Sequence, residues 1–299
     1  MRTIIICGAT ATGKSDLAVA LAKEIGAEIV NADSMQVYEG MDIGTAKLSI
    51  PERGGIPHHL LDVLSVRQDS TVAWYQEAAR TAIDEIHQRG KDAIIVGGTG
   101  LYIKAIVDDL NFPDTDPVIR SRLELEAIEL GAAALFARLE KLDPAAALAI
   151  DRANTRRIVR ALEVIEITGQ PFTANLPRQE SSRYPDALHF GLSQDRESLD
   201  IRVSNRVDAM WEAGLVAEVE ALVVTGLREG VTAQKALGYA QVLQMMDGLL
   251  NSEQAREETK RVTRQYIRRQ DTWFSRDNRL HWLGHYENRL EKILARLNS

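Results

Sequence analysis

The sequence has a single cysteine, Cys7, in 299 residues. One thiol can form neither an internal disulfide nor a cysteine-based zinc site, which fits a reducing cytosol. The six histidines are scattered apart from the pair His58-His59, and no His-Glu-x-x-His run is present. The zinc-protease pattern is therefore excluded. No apolar run reaches membrane-spanning length. Met1-Arg2-Thr3 passes directly into an apolar strand, with no h-region or small-residue cleavage site. The expectation is a cytoplasmic chain with no membrane partner. Internal repeats and low-complexity tracts are also lacking, as is any overall positive charge.

The net charge of −7 argues, for the whole molecule, against a nucleic-acid partner. Binding is decided by local patches, however. Between Arg256 and Arg279 the basic residues are Arg256, Lys260, Arg261, Arg264, Arg268, Arg269, Arg276 and Arg279, against Glu257, Glu258, Asp271 and Asp277. Arg152, Arg156, Arg157 and Arg160 follow one another with no acid between them. With 45% hydrophobic and 26% charged residues, the composition is that of a globular protein. The length suits an α/β domain carrying a smaller inserted one.

Residues 3–7 form an apolar run ending at a glycine, as in a buried parallel strand. From Lys14 to Ile25, Leu17, Leu21 and Ile25 recur at helical spacing. A second strand, 28–32, runs into Asp33. A helix is predicted around 71–89, and a third strand, 93–96, closes on Gly97-Gly98-Thr99-Gly100. Strand, glycine loop, helix and strand open an α/β sheet with right-handed crossovers. Beyond a polar hinge at Pro113–Pro117 the pattern is helical over 118–130, 132–141 and 153–168. A second polar stretch, 175–186, contains Pro177, Ser181, Ser182 and Pro185, and a strand returns at 189–192. The expected fold is a P-loop NTPase-like core, 1–112 and 187–299, with a parallel sheet flanked by helices. An all-helical insertion occupies 113–186. The last hundred residues read as mainly helical, with 280–283 extended.

Gly8-Ala9-Thr10-Ala11-Thr12-Gly13-Lys14-Ser15 is the phosphate-binding P-loop pattern. Its glycines let backbone N–H groups turn inward on an anion at a helix N-terminus. Lys14 adds a positive charge, and the Ser15 hydroxyl can ligate Mg²⁺. By average residue usage the pattern arises by chance in roughly 1 in 100 chains of this length, and the flanking strand and helix make chance rarer. A motor or switch NTPase also needs an acid closing a neighbouring strand. Here 93–96 closes on glycine, and the acid at a strand's carboxyl end is Asp33. That position suits a metal ligand or general base, although an aspartate there also serves as a turn or helix cap.

These stretches resemble the tRNA dimethylallyltransferases, bacterial type. The resemblance runs in family order through Gly8–Ser15, Asp33-Ser-Met-Gln-Val-Tyr38, Gly40–Lys47, His58-His-Leu60 and Gly97–Tyr102. It continues in Arg157–Glu163, Leu237-Gly-Tyr239 and Thr263–Gln270 with Thr272-Trp-Phe274. It implies transfer of a dimethylallyl group from dimethylallyl diphosphate to N6 of the adenosine 3′ of the anticodon. The P-loop would then hold a prenyl diphosphate with Mg²⁺. By the same resemblance Asp33 is the general base and Arg202 acts on the leaving diphosphate, with Arg196 and Arg206 beside it. Ser34, Met35, Gln36 and Thr99 join Asp33 around the target base. Arg120, Arg156, Arg157, Ile158, Val159 and Arg160 contact the tRNA anticodon stem-loop. For a single arginine on an acidic helix the plainer reading is a surface ion pair, and His58-His59 read best as loop-fixing residues. The chain departs from the family in Ala9 and Leu48, where proline is usual, in Ser15 for threonine, and in Gln265, Ile267 and Asp271. With no Cys/His finger after the core, a compact bacterial form acting as a monomer is implied. Rival readings are an adenylate isopentenyltransferase, a P-loop small-molecule kinase, and an RNA-binding module with a relic loop.

Overall fold

The computed structural model describes residues 1–110, 112–175 and 182–298. Pro177 and Ser181 of the second polar stretch lie outside them. The chain runs β1 (Thr3–Gly8), α1 (Lys14–Ile25), β2 (Glu28–Asn31), β3 (His58–His59), α2 (Val72–Gln88), β4 (Ala93–Gly97) and α3 (Gly100–Val107). Then come α4 (Pro117–Glu129), α5 (Ala132–Leu142), α6 (Pro144–Ala149) and α7 (Thr155–Thr168). The last part holds β5 (Leu188–Leu192), α8 (Arg196–Glu212), α9 (Leu215–Thr225), α10 (Tyr239–Met246), α11 (Ser252–Phe274), β6 (His281–Leu283) and α12 (Arg289–Leu297). Two compact units result: Met1–Val107 with Tyr184–Ser299, and Asp108–Arg183. The sequence pattern places these divisions at 113 and 186, a few residues further along the chain.

The first unit is built on a parallel sheet of order β3-β2-β4-β1-β5-β6. Successive side chains of a strand face opposite ways. Ile4 and Ile6 of β1 therefore pack against α1 and α12, while Ile5 and Cys7 pack against α2, α3 and the end of α11. Both faces are covered, which is why the strands read as unbroken apolar runs. Burial pushes the Cys7 thiol up to about 12. A third cluster joins residues 37–41 and 64–66 to α9 and α10. Among the described residues no helix is long and apolar enough to cross a membrane.

The sequence pattern missed β3, which is too short to carry a period. His59 Nε2 lies 2.8 Å from Glu28 Oε2 on the neighbouring strand, and His58 Nδ1 lies 2.8 Å from the Ile56 carbonyl. Burial of Glu28 works against ionisation, but hydrogen bonds from Arg89, His59 and Lys91 outweigh it and hold the carboxyl at about 2. The histidine pair thus fixes the sheet edge and the loop before it.

The second unit packs α4, α5, α6 and α7 around Leu123, Leu135, Leu139, Ile158 and Leu162. Asp116 caps α4, accepting the Val118 N–H at 2.8 Å, with Pro117 at the first helical position. Inside the unit Glu163 is fully buried. It accepts from Arg120 at 2.6 Å, Arg160 at 2.9 Å and the Asp116 N–H at 3.0 Å. A buried carboxylate needs this full complement of donors to remain charged.

Candidate active site

The loop from Gly8 to Ser15 leaves β1 and enters α1. Gly8 takes φ 145°, and a Cβ there would stand 2.7 Å from the Leu192 carbonyl oxygen, so only glycine allows β5 to approach so closely. Ala11 and Gly13 also adopt positive φ, at 65° and 83°, winding the loop tightly. Ala9 is buried with Leu199, Val203 and Ile267, so α8 and α11 both pack on the loop. Its carbonyl accepts from the Thr12 hydroxyl at 2.8 Å and from Lys14 Nζ at 2.6 Å. Burial and the neighbouring charge of Arg206 lower Lys14 to about 8, while Asp33 pulls the other way.

Asp33 follows β2. Its backbone N–H donates to Asn31 Oδ1 at 3.0 Å, and its Oδ1 accepts the Met35 N–H at 2.9 Å. The aspartate is thus a turn-former, as one reading of its position held, and its carboxylate also lines the crevice at the strand ends. Its negative charge raises Lys14 and Arg206, and with burial it lifts the Tyr266 hydroxyl to about 12. Burial nevertheless leaves the Arg206 guanidinium below its ordinary value.

The crevice has two lobes. The larger, about 700 Å³, is lined by Thr10, Ala11, Gly13, Lys14, Ser15, Asp33, Gln36, Arg202 and Arg206 among others. The smaller, about 280 Å³, shares Thr10, Lys14, Asp33 and Arg206 and adds Ser34, Met35, Val203, Leu237, Thr263 and Tyr266. Arg202 and Arg206 stand one turn apart on α8. Arg202 donates to the Ala11 carbonyl at 3.3 Å, and Arg206 to Thr10 Oγ1 at 3.2 Å and the Thr45 carbonyl at 3.4 Å. Gln36 gives its amide to the same Thr45 carbonyl at 3.0 Å. Thr99 lines neither lobe; its hydroxyl accepts the Ser34 N–H at 3.2 Å and supports that turn.

Not every expected diphosphate residue is brought to this crevice. Arg196, in the first turn of α8, is exposed and lines neither lobe, because six residues of helix turn it away from the face of Arg202. Ile158 and Val159, expected among the tRNA contacts, are 0% and 3% exposed in the core of the second unit. Their side chains are packing residues, since the apolar face of α7 must be covered. In the same unit Arg120 and Arg160 share the Glu163 charge, whereas Arg156 and Arg157 are exposed with no ion pair among the described residues.

Two further side chains support the crevice from distant helices. Gln270 of α11 accepts the Thr10 N–H at 3.0 Å and donates to the Gly98 carbonyl at 2.8 Å, tying the P-loop to the end of β4. The spacing Ile267, Gln270, Phe274 would have marked it as a polar residue on a buried helix face. Glu218 of α9 accepts three consecutive N–H groups, from Asp42 at 3.2 Å, Ile43 at 2.8 Å and Gly44 at 3.2 Å, together with the Tyr239 hydroxyl at 2.5 Å. It thereby holds the loop that presents the Thr45 carbonyl. Nothing local in the sequence announces that pairing.

Fold and site together define a P-loop-type α/β protein in which a carboxylate faces a cluster of cations across one crevice. The chain belongs to the IPP transferase family, whose model matches residues 36–277. It is 58% identical over 289 residues to the tRNA dimethylallyltransferase of Thermobifida fusca, covering 95% of this chain and 90% of that one. With the tRNA dimethylallyltransferase of Acidothermus cellulolyticus it shares 53% identity over 296 residues, covering 99% and 92%. Among solved structures, the tRNA isopentenylpyrophosphate transferase of Bacillus halodurans matches with a TM-score of 0.72 and 37% identity, covering 99% and 95%. A eukaryotic dimethylallyltransferase acting on tRNA matches with a TM-score of 0.83 and 26% identity, covering 100% of this chain and 79% of that one.

Proposed function

We propose that the chain transfers a dimethylallyl group from dimethylallyl diphosphate to N6 of the adenosine 3′-adjacent to the tRNA anticodon, releasing diphosphate. The carrying observation is the crevice in which Lys14, Arg206 and Asp33 line both lobes. A diphosphate on the P-loop puts its leaving oxygen among cations. Met35, Val203 and Leu237 in the smaller lobe offer apolar surface to a prenyl chain. The N6 lone pair forms the new C–N bond as the allylic C–O bond breaks and its electron pair leaves with diphosphate. Lys14, Arg202 and Arg206 stabilise that developing charge. An adenine amino group is a weak nucleophile, so the Asp33 carboxylate takes its proton as the bond forms.

The donor set fits Mg²⁺, which keeps to hard oxygen ligands and is usually held by one or two protein groups plus phosphates. Ser15 lines the larger lobe with Asp33 close by. Among the described residues no cluster of three His, Cys, Asp or Glu side chains could hold a metal by itself. Mg²⁺ bound with the donor would add positive charge at the leaving diphosphate. Gln36 and the Ser34-Met35 turn would receive the target base, turned out of its stack. The enzyme would act in the cytoplasm as a monomer.

The test offers labelled dimethylallyl diphosphate and Mg²⁺ to unmodified tRNA, AMP and ATP in parallel. Label is expected in tRNA at the adenosine beside the anticodon. Label in AMP but not tRNA would favour a free-nucleotide transferase, and γ-phosphoryl transfer from ATP a kinase. Tight tRNA binding with no product would leave only an RNA-binding module.

In the second unit Arg156 and Arg157 are proposed to meet anticodon-arm phosphates. Replacing both with glutamine should weaken tRNA binding and flatten its log–log salt dependence by about 1 to 2. Filter binding at several salt concentrations measures this. An unchanged slope would count against the contact. Both side chains are exposed, so the unit itself should remain folded.

A further inference from the structure

α12 lies along α1, with Ile293, Leu290 and Leu294 packed in the cluster that contains Ala18 and Leu21. Its first residue, Arg289, reaches the P-loop. Nη1 donates to the Thr12 carbonyl at 2.8 Å, Nη2 to the Ser193 carbonyl at 2.6 Å and Nε to the Gly284 carbonyl at 2.9 Å. Burial and the charge of Arg202 disfavour a cation there, while Glu287 favours it. Three carbonyl oxygens, rather than a carboxylate, hold the guanidinium in place. Its position is set by the backbone around it.

Thr12 is the residue where this matters. The C=O and N–H of a trans peptide point in opposite directions. A Thr12 carbonyl drawn onto Arg289 therefore aims the Gly13 N–H to the opposite side. Gly13 itself, at φ 83°, carries no side chain to resist that orientation. Ala11 is held in a parallel way by Arg202. The Thr10 N–H, by contrast, is taken by Gln270.

We propose that Arg289 is a positioning residue of the P-loop: it pins the Thr12 carbonyl from behind, so that the Gly13 N–H and a fixed positive charge are set for the donor's diphosphate. This rests on the P-loop being the diphosphate seat. Arg289 lies beyond the 36–277 segment matched by the family model. The C-terminal helix thus acts on the reaction through a residue that touches no substrate.

The experiment compares the parent chain with Arg289→Gln and Leu294→Ala. The probes are calorimetric binding of inorganic pyrophosphate with Mg²⁺, and kcat and KM for donor and tRNA. Arg289→Gln is expected to weaken pyrophosphate binding and raise the donor KM about tenfold, as for loss of a charged hydrogen bond. The tRNA KM should stay within about twofold, because tRNA phosphates are not the group this charge addresses. Leu294→Ala loosens α12 without touching the carbonyls, so it should lower the melting temperature and leave the donor KM nearly unchanged. Arg289→Gln binding pyrophosphate like the parent would overturn the proposal alone. So would Leu294→Ala reproducing the donor-specific loss. A parent chain that binds no pyrophosphate would overturn the diphosphate seat, and this inference with it.

Discussion

Asp33→Asn is expected to lower kcat for tRNA prenylation about 10²- to 10⁴-fold, the range for a lost general base. Asparagine retains an Oδ1 that can accept the Met35 N–H, the bond that shapes the turn. The substitution therefore removes proton acceptance while the backbone is kept. Donor and tRNA affinity should change only a few-fold, since the Met35 N–H bond, and with it the turn, is kept. Asp33→Ala should lose as much in kcat and also loosen the turn, visible as a weaker tRNA KM. Single-turnover prenylation with labelled donor measures both. A kcat within a few-fold of the parent for Asp33→Asn would remove Asp33 from the base role and leave it a turn residue.

Lys14→Ala should be nearly as severe but should act at the other end of the reaction. Lys14 is largely buried and lies near both Asp33 and Arg206. In such surroundings a single cation on the leaving group is worth more than in water. Its loss is expected to cost about 10²- to 10³-fold in kcat/KM for the donor, comparable to removing one preorganised transition-state donor. Pyrophosphate binding should weaken as well, which separates this variant from Asp33→Asn. Lys14→Arg should recover little, because a planar fork does not replace a compact ammonium held 2.6 Å from the Ala9 carbonyl. A donor kcat/KM within tenfold of the parent in Lys14→Ala would mean that the diphosphate sits elsewhere.

What could be read in advance follows from how far each feature depends on neighbours in the chain. The P-loop was legible because its residues must be contiguous: the glycines, Lys14 and Ser15 serve one turn at one helix start. Asp33 was legible because a parallel strand delivers its following residue to the active edge. The long helices and strands were legible from their periods. The two-residue strand at His58-His59 was not, since it exists only through pairing with β2. Runs of arginine were the least transparent. Arg156, Arg157 and Arg160 fall within five residues of sequence, yet Arg160 is tied to a buried glutamate and the other two are not. Ile158 and Val159 sit between them and face inward, because a helix turns about 100° per residue.

The sequence by itself therefore determined the glycine loop between β1 and α1, the carboxylate just after β2, the α/β class and the lack of any internal disulfide. Each of these rests on local pattern or composition. Tertiary structure alone decided which cations reach the crevice: Arg202 and Arg206 do, and Arg196 does not. It also decided that Gln270, Glu218 and Arg289 brace the loops from distant helices. The reason is physical. A hydrogen bond across some 260 residues of chain separation, as between Thr10 and Gln270, depends on how two packed helices settle on one sheet, and no period in the sequence encodes that.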